Sequence, residues 1–253
     1  MSIEIIGQDG IEVPEDHRQD ILNMLEQVEN VFGPIQDLLS KTGTLIMYSD
    51  GAPLKTPWGG IITAQYLGRI LGAHVWNEKQ KGQDLLLLNW GAMRNSAEKI
   101  KVLAHELAHW IDVHSFWTMF PKTAFTPNVG WHLSRFDWIH NMQWLYEEFY
   151  EPILGLMNKT HRTRMGWNEF REPSHIGTWS VGNYNKFVEG VRHQPDEIFA
   201  YLVDQVVMST VYPNWGRIQN KGPLIILDHK RFESVKDLVI GEINRRLSII
   251  RTG

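Results

Sequence analysis

The stretch SAEKIKVLAHELAHWIDVH spans residues 96–114 and is the most informative helical pattern in the chain. Its apolar residues recur at spacings of three and four, which predicts a helix that is buried on most of its sides. Asn95 is suited to cap the start of this helix, and Glu98 stands three residues later in the position of a capping box. We therefore expect one helix from Ser96 to about residue 114.

Strand patterns precede this helix, and helical patterns dominate after it. Short β-rich or apolar runs cover residues 44–48, 73–77 and 84–89. Helical periodicity covers residues 15–40 with a break at Gly33-Pro34, and then residues 63–72, 136–157, 195–209 and 234–250. This order predicts an α+β fold in which a small mixed sheet packs on the helix at 96–114 and the C-terminal half is mostly helical. We expect a single domain over residues 1–253, with a long insertion at about residues 115–194.

The composition excludes several classes of protein and site. The 253 residues include no cysteine, which removes disulfide scaffolds, thiol nucleophiles and thiolate metal sites. The net charge of −4 argues against a nucleic-acid partner. The first residues lack a basic segment followed by an apolar run, and no apolar stretch is long enough to cross a membrane. We expect a cytoplasmic protein with no membrane partner, with non-classical export as the alternative; the sequence makes no prediction of oligomeric state.

The motif His105-Glu106-Leu107-Ala108-His109 carries the chemistry. Two histidines separated by four residues lie one helical turn apart on the same face, so both imidazoles can bind one zinc ion. Glu106 lies beside them without having to bind the metal, where it can accept a proton from a zinc-bound water. The motif predicts a site for one Zn²⁺, with His105 and His109 as ligands and Glu106 as the general base.

The third ligand is not adjacent to the motif. A metzincin would need glycine at 112 and histidine at 115, where this chain has Asp112 and Ser115. A thermolysin-like spacing fails as well, because no glutamate occurs between Glu106 and Glu147. From the residues alone, the candidates that remain are Glu147, Glu148, Glu169, Glu172, Glu189 and Glu197.

The run PDEIFAY at residues 195–201 resembles the second zinc helix of gluzincin-type metallopeptidases. Together with the first motif it is most similar to the compact group that includes lethal-factor-like toxins and phage- or plasmid-associated peptidases. The resemblance implies a zincin-like metallopeptidase domain, with Glu197 as the third zinc ligand and Ala200 as the small residue between two close helices. It also implies an oxyanion donor near the third ligand, for which His193, Tyr184 and Tyr201 qualify by position; we choose Tyr184. Zincins bind their substrates along a sheet edge, and residues 84–89 are our candidate for that edge.

These observations make a zinc-dependent endopeptidase the leading hypothesis, with a peptide or protein as substrate. The alternatives that use the same site are a hydrolase of another amide and a zinc-binding module without activity. A more distant hypothesis is an interaction protein in which the motif is accidental and binds no metal. Asp112 either has a positioning role, in which it orients a ligand imidazole or caps a neighbouring loop, or lies on the surface, and the sequence favours neither.

Overall fold

The computed structural model describes residues 3–55, 71–77, 83–119, 145–161, 195–212, 214–215 and 227–253. These residues form an α+β fold that contains a small four-stranded sheet and is mostly helical. The strands are β1 (Ile5–Gly7), β2 (Thr44–Ser49), β3 (Gly72–Asn77) and β4 (Gln83–Asn89). The helices are α1 (Glu15–Phe32), α2 (Ile35–Thr42), α3 (Ser96–Met119), α4 (Glu151–His161), α5 (Pro195–Val211), α6 (His229–Glu233) and α7 (Lys236–Thr252). Single 3₁₀ turns lie at Gln8–Gly10 and Trp90–Ala92, and a π-helical turn, Tyr146–Tyr150, leads into α4.

The sheet is mixed, as expected, and its strand order is β1-β2-β4-β3. β1, β2 and β4 are parallel to one another, whereas β3 runs antiparallel to β4. One face of the sheet carries an apolar cluster that includes Met47, Leu85 and Leu87. The other face contacts α3, because the indole N–H of Trp110 donates a 2.8 Å hydrogen bond to the Thr44 hydroxyl on β2. The predicted packing of the sheet on this helix is therefore confirmed.

The prediction that residues 84–89 form the sheet edge is wrong. β4 pairs with β2 on one side and with β3 on the other, so β3 is the edge strand at this end of the described sheet. The four consecutive leucines of β4 are fully buried. A run without polar alternation is the pattern of a strand that is covered on both faces, which is an interior position.

Most predicted elements are present, with changes at their ends. The helical pattern over residues 15–40 divides into α1 and α2 at Gly33-Pro34, where Gly33 adopts a φ of 70°. α3 continues to Met119, so residues 115–119 are helical rather than part of an irregular segment. α7 begins at Lys236 instead of residue 234. Of the predicted helix at 63–72, only Leu71 and Gly72 are described, and neither is helical, since Gly72 begins β3. The three-residue strand β1 was not predicted, because so short a run carries no periodicity.

The chain divides into two compact units. The first unit comprises Met1–Trp110 and Val203–Tyr212 and contains the sheet with α1 and α2. The second unit comprises Ile111–Leu202 and Pro213–Gly253 and contains α4, α6 and α7. Residues 120–144 and 162–194 of the expected insertion lie outside the described residues, so the single domain with an insertion stays a prediction. Among the described residues, no helix combines the length and the apolar character that a membrane span requires.

Candidate metal centre

Helix α3 positions the two histidines of the motif. Its buried residues include Leu103, Leu107 and Trp110, which lie on the apolar face that the sequence predicted. His105 and His109 are only half-buried, and their imidazole rings meet edge to face with centroids 4.9 Å apart. Their Nε2 atoms face each other at 3.3 Å. The four-residue spacing has therefore brought two ring nitrogens to one point, as expected from helical geometry.

Glu197 on α5 completes the group. Pro195 occupies the first position of this helix, where its missing N–H costs nothing, and the residues after Glu197 are fully buried through Ala200. Each of His105, His109 and Glu197 offers one ligand atom, and these atoms all lie within 4.8 Å of one another. The three residues could hold a metal ion.

The separation of the histidine nitrogens suits zinc. Two ligands that each lie about 2.0–2.1 Å from a tetrahedral ion are about 3.3–3.4 Å apart. The observed Nε2–Nε2 distance is 3.3 Å. Two imidazoles and one carboxylate are also a donor set that zinc accepts.

Glu106 lies beneath the edge strand β3. Its side chain is buried, and the backbone N–H of His74 donates a 2.8 Å hydrogen bond to its Oε2 atom. The pairing of β3 with β4 explains the direction of this N–H. In an antiparallel pair, residues whose backbone groups bond the partner strand alternate with residues whose backbone groups face away. The N–H of Asn89 donates to the carbonyl of Leu71, so residues 73 and 75 also bond β4. The N–H of His74 therefore points away from β4. The edge of the sheet therefore holds the carboxylate in a defined orientation.

Gly72 makes this close approach possible. A Cβ atom at this position would lie 2.6 Å from Cγ1 of Val102, 2.9 Å from Cγ of Glu106 and 3.1 Å from Oε1 of Glu106. Any side chain would push the carboxylate away from the strand. Glycine is therefore required here by the contact with α3 and not by a special backbone conformation.

A series of buried hydrogen bonds holds β3 on the sheet. Nε2 of His74 lies 2.6 Å from Oδ1 of Asp84 on β4, and both side chains are almost completely buried. Oδ2 of Asp84 accepts a 2.7 Å hydrogen bond from the hydroxyl of Thr44, which in turn accepts the indole N–H of Trp110 on α3. These bonds connect the motif helix to the strand that orients Glu106. The sequence indicated no role for His74, because an isolated histidine in a strand gives no signal of its partner.

Asp112 is buried, so of the two sequence alternatives the surface position is wrong. Its Oδ1 atom accepts a hydrogen bond from Nη1 of Arg246 on α7, and the Arg246 side chain is fully buried. Nε of Arg246 also donates to Oε1 of Glu242 at 2.7 Å, and its Nη2 atom lies 3.2 Å from the hydroxyl of Tyr150. Cζ of Arg246 lies 3.8 Å from the centroid of the Phe199 ring, two residues after Glu197. The arginine thus contacts Asp112, three residues after His109, and Phe199, two residues after Glu197.

The charges of this cluster shift the pKa values of its members. Burial alone would raise the pKa of Glu242, but the adjacent Arg246 and Arg245 outweigh it and hold the pKa below its ordinary value of 4.5. Burial opposes the charged form of Arg246, and the surrounding Tyr150, Glu242 and Asp112 nevertheless raise its pKa. Burial raises the pKa of the Tyr150 hydroxyl despite the neighbouring guanidinium. Arg246 is therefore a permanently charged centre of this part of the fold.

The other candidate ligands and donors fall into two sets. Glu147 and Glu148 lie in the π-helical turn with exposed side chains, which agrees with a solvated helix face. Tyr201 is buried one turn after Glu197 on α5. The remaining candidates, Glu169, Glu172, Glu189, Tyr184 and His193, lie outside the described residues. Tyr184 as the oxyanion donor stays a prediction.

Asp204 is a residue near the site that sequence reasoning missed. It lies on α5 two helical turns after Glu197, and its side chain is 2% exposed. Its Oδ2 atom lies 3.6 Å from Nδ1 of His105 and 3.9 Å from Nζ of Lys101. A single aspartate among apolar residues of a predicted helix was the available signal, since such a residue is costly to bury without a partner.

No family model matches this chain, and the searches of curated proteins and of solved structures find no similar protein.

Proposed function

We propose that this protein is a zinc-dependent hydrolase, and specifically an endopeptidase in which Glu106 activates a zinc-bound water. The observation that carries the proposal is the convergence of His105, His109 and Glu197, whose ligand atoms lie within 4.8 Å of one another. The sequence motif predicted two of these ligands and the base, and the resemblance to gluzincin-type peptidases implied the third. Zinc is the proposed metal because the donors are two imidazoles and one carboxylate, and the two imidazole nitrogens are 3.3 Å apart.

Different residues of the chain have different roles in the proposed reaction. When bound, zinc supplies a water whose pKa is lowered to about 7. His105, His109 and Glu197 hold the metal. Glu106 takes the proton of the attacking water and passes it to the leaving amine, and the N–H of His74 keeps its carboxylate in the required orientation. This division needs an acid–base group that is close to the metal without binding it, and Glu106 meets that condition in the motif.

The position of β3 supports an extended peptide as the substrate. It is an edge strand of the described sheet, and it is the strand that contacts Glu106. Residues 72, 74 and 76 alternate with those bonded to β4, so their backbone groups face outwards, and the N–H of His74 already donates to Glu106. A substrate that adds to this edge as a further strand would bring its backbone next to Glu106. Backbone recognition of this kind selects a peptide or protein over a small amide.

Metal analysis and one isosteric substitution test the proposal. We expect purified protein to contain one zinc per chain and to cleave members of a peptide library. Glu106→Gln should retain the zinc and lose at least about 100-fold in kcat, because the general base is removed while the ligands remain. A wild-type protein that holds zinc but cleaves no peptide would support the binding module or a hydrolase of another amide. A protein without zinc would show that the motif is accidental.

The third ligand is tested with a matched pair of glutamates. Glu197→Gln should lower the zinc content after dialysis against a chelator, since it removes one of three protein ligands. Glu147→Gln changes an exposed glutamate and should leave the zinc content unchanged. The reverse result would assign the third ligand to the π-helical turn.

A further inference from the structure

Within the part of the chain that the structure describes, one buried carboxylate oxygen of Asp204 lacks a hydrogen bond. Its Oδ2 atom has no hydrogen-bond partner among the described residues, although the side chain is 2% exposed. Two positively charged or chargeable groups face this oxygen, Nδ1 of His105 at 3.6 Å and Nζ of Lys101 at 3.9 Å. Both distances are longer than a hydrogen bond. A buried oxygen without such a bond is rare and requires a physical reason.

The two nitrogens of His105 suggest that reason. Its Nε2 atom faces Nε2 of His109, and both lie in the group that could hold a metal. An imidazole that binds a metal through one nitrogen carries its proton on the other, and a carboxylate commonly accepts that proton. The nitrogen that remains in His105 is Nδ1, which is the atom that faces Asp204.

We propose that Asp204 is a positioning residue for His105. In the metal-bound protein it would accept the Nδ1–H of the imidazole, and this bond would fix the tautomer whose Nε2 lone pair is directed at the metal. The proposal rests on the metal site proposed above and adds a residue that the motif does not contain. α5 would then contribute two residues to the metal site, because Glu197 and Asp204 are two turns apart on one face of that helix.

The competing role for Asp204 is a structural ion pair with Lys101. The lysine side chain is 28% exposed, so this pair faces partly into solvent. A structural ion pair predicts that removal of either partner has the same effect on the protein. A positioning role predicts that only removal of the carboxylate affects metal binding, because Lys101 makes no contribution to the tautomer of His105.

Zinc affinity separates the two roles. Dissociation constants are measured by competition with a chromophoric chelator for the full chain, for Asp204→Asn, for Lys101→Gln, and for Ser209→Ala as a control on the same helix. Asp204→Asn should weaken zinc binding about 10- to 100-fold. Asp204→Glu keeps the charge and should restore part of the affinity, whereas Lys101→Gln and Ser209→Ala should stay within about twofold of wild type. The proposal is overturned if Asp204→Asn binds zinc as tightly as wild type, or if Lys101→Gln weakens binding as much.

A measurement on the wild-type protein removes any dependence on how the variants fold. In the zinc-loaded chain, the ¹⁵N chemical shifts of His105 should show a protonated Nδ1 and a metal-bound Nε2. Binding through Nδ1 would overturn the proposal even with the metal site intact. Failure of the wild-type chain to bind zinc would instead refute the proposed function, so the two failures are distinguishable.

Discussion

Replacing Arg246 by methionine removes the charged centre of the second unit while keeping most of the side-chain volume. The wild-type guanidinium is completely buried and donates hydrogen bonds to Glu242 and to Asp112. It also lies 3.8 Å from the ring centroid of Phe199. In the variant, the buried carboxylates of Asp112 and Glu242 both lose the counter-charge of Arg246, and removal of one partner of a buried ion pair costs about 3–5 kcal/mol. We expect the free energy of unfolding to fall by this amount.

Arg245 provides a matched control. It is the preceding residue on α7, and it donates two hydrogen bonds of 2.7 Å to the same Glu242. Its side chain is 32% exposed, however, so water screens the interaction and replaces its bonds. Arg245→Met removes the same charge and should cost at most about 1 kcal/mol.

Urea unfolding at neutral pH measures both variants. With an m value of about 2–3 kcal/mol/M, Arg246→Met should lower the midpoint by about 1–2 M, and Arg245→Met by a few tenths. Adding Glu242→Gln to Arg246→Met should recover part of the lost stability, because it removes the negative charge of one of the two buried carboxylates that lost Arg246. Equal midpoints for Arg246→Met and Arg245→Met would refute the view that burial makes this arginine the centre of its unit.

Two further predictions concern the orientation of the general base and the acid stability of the protein. Gly72→Ala places a Cβ 3.1 Å from Oε1 of Glu106 and should lower kcat by about 10- to 100-fold while zinc content stays constant. Gly155→Ala is the control and should leave kcat unchanged, because an added Cβ there would meet no atom within 4 Å. An unaltered kcat in Gly72→Ala would contradict the proposed role of the strand. The lowered pKa of Glu242 means that its ion pairs stabilise the fold fully above pH 4.5 and lose that contribution as the pH falls below 4.5 through the lowered pKa. Urea midpoints between about pH 6 and about pH 3 should therefore decline less steeply in Glu242→Gln than in wild type, and parallel curves would show that this carboxylate does not contribute.

Local patterns in the chain were sufficient for most of the secondary structure and for two of the three members of the metal group. The spacing of His105 and His109 within an apolar periodicity determined that both imidazoles share one helix face, and α3 has that geometry. The break at Gly33-Pro34 and the apolar run of β4 were also readable, since each depends on residues that are neighbours in sequence. Spacing alone left several glutamates open as the third ligand, and only the resemblance of residues 195–201 to a known zinc helix favoured Glu197.

The tertiary structure decided the pairings between distant residues. It made β3 the edge strand at this end of the described sheet, although the sequence had assigned that role to β4, because strand order depends on which neighbours pair and not on the composition of one strand. It paired Asp112 with Arg246, 134 residues away, and it placed Asp204 beside His105. Such contacts arise when helices pack, so no local period in the sequence records them. The sequence by itself therefore specified the helix that carries the histidines. Folding supplied the glutamate that completes the candidate metal group, the strand that orients Glu106 and the carboxylate that faces His105.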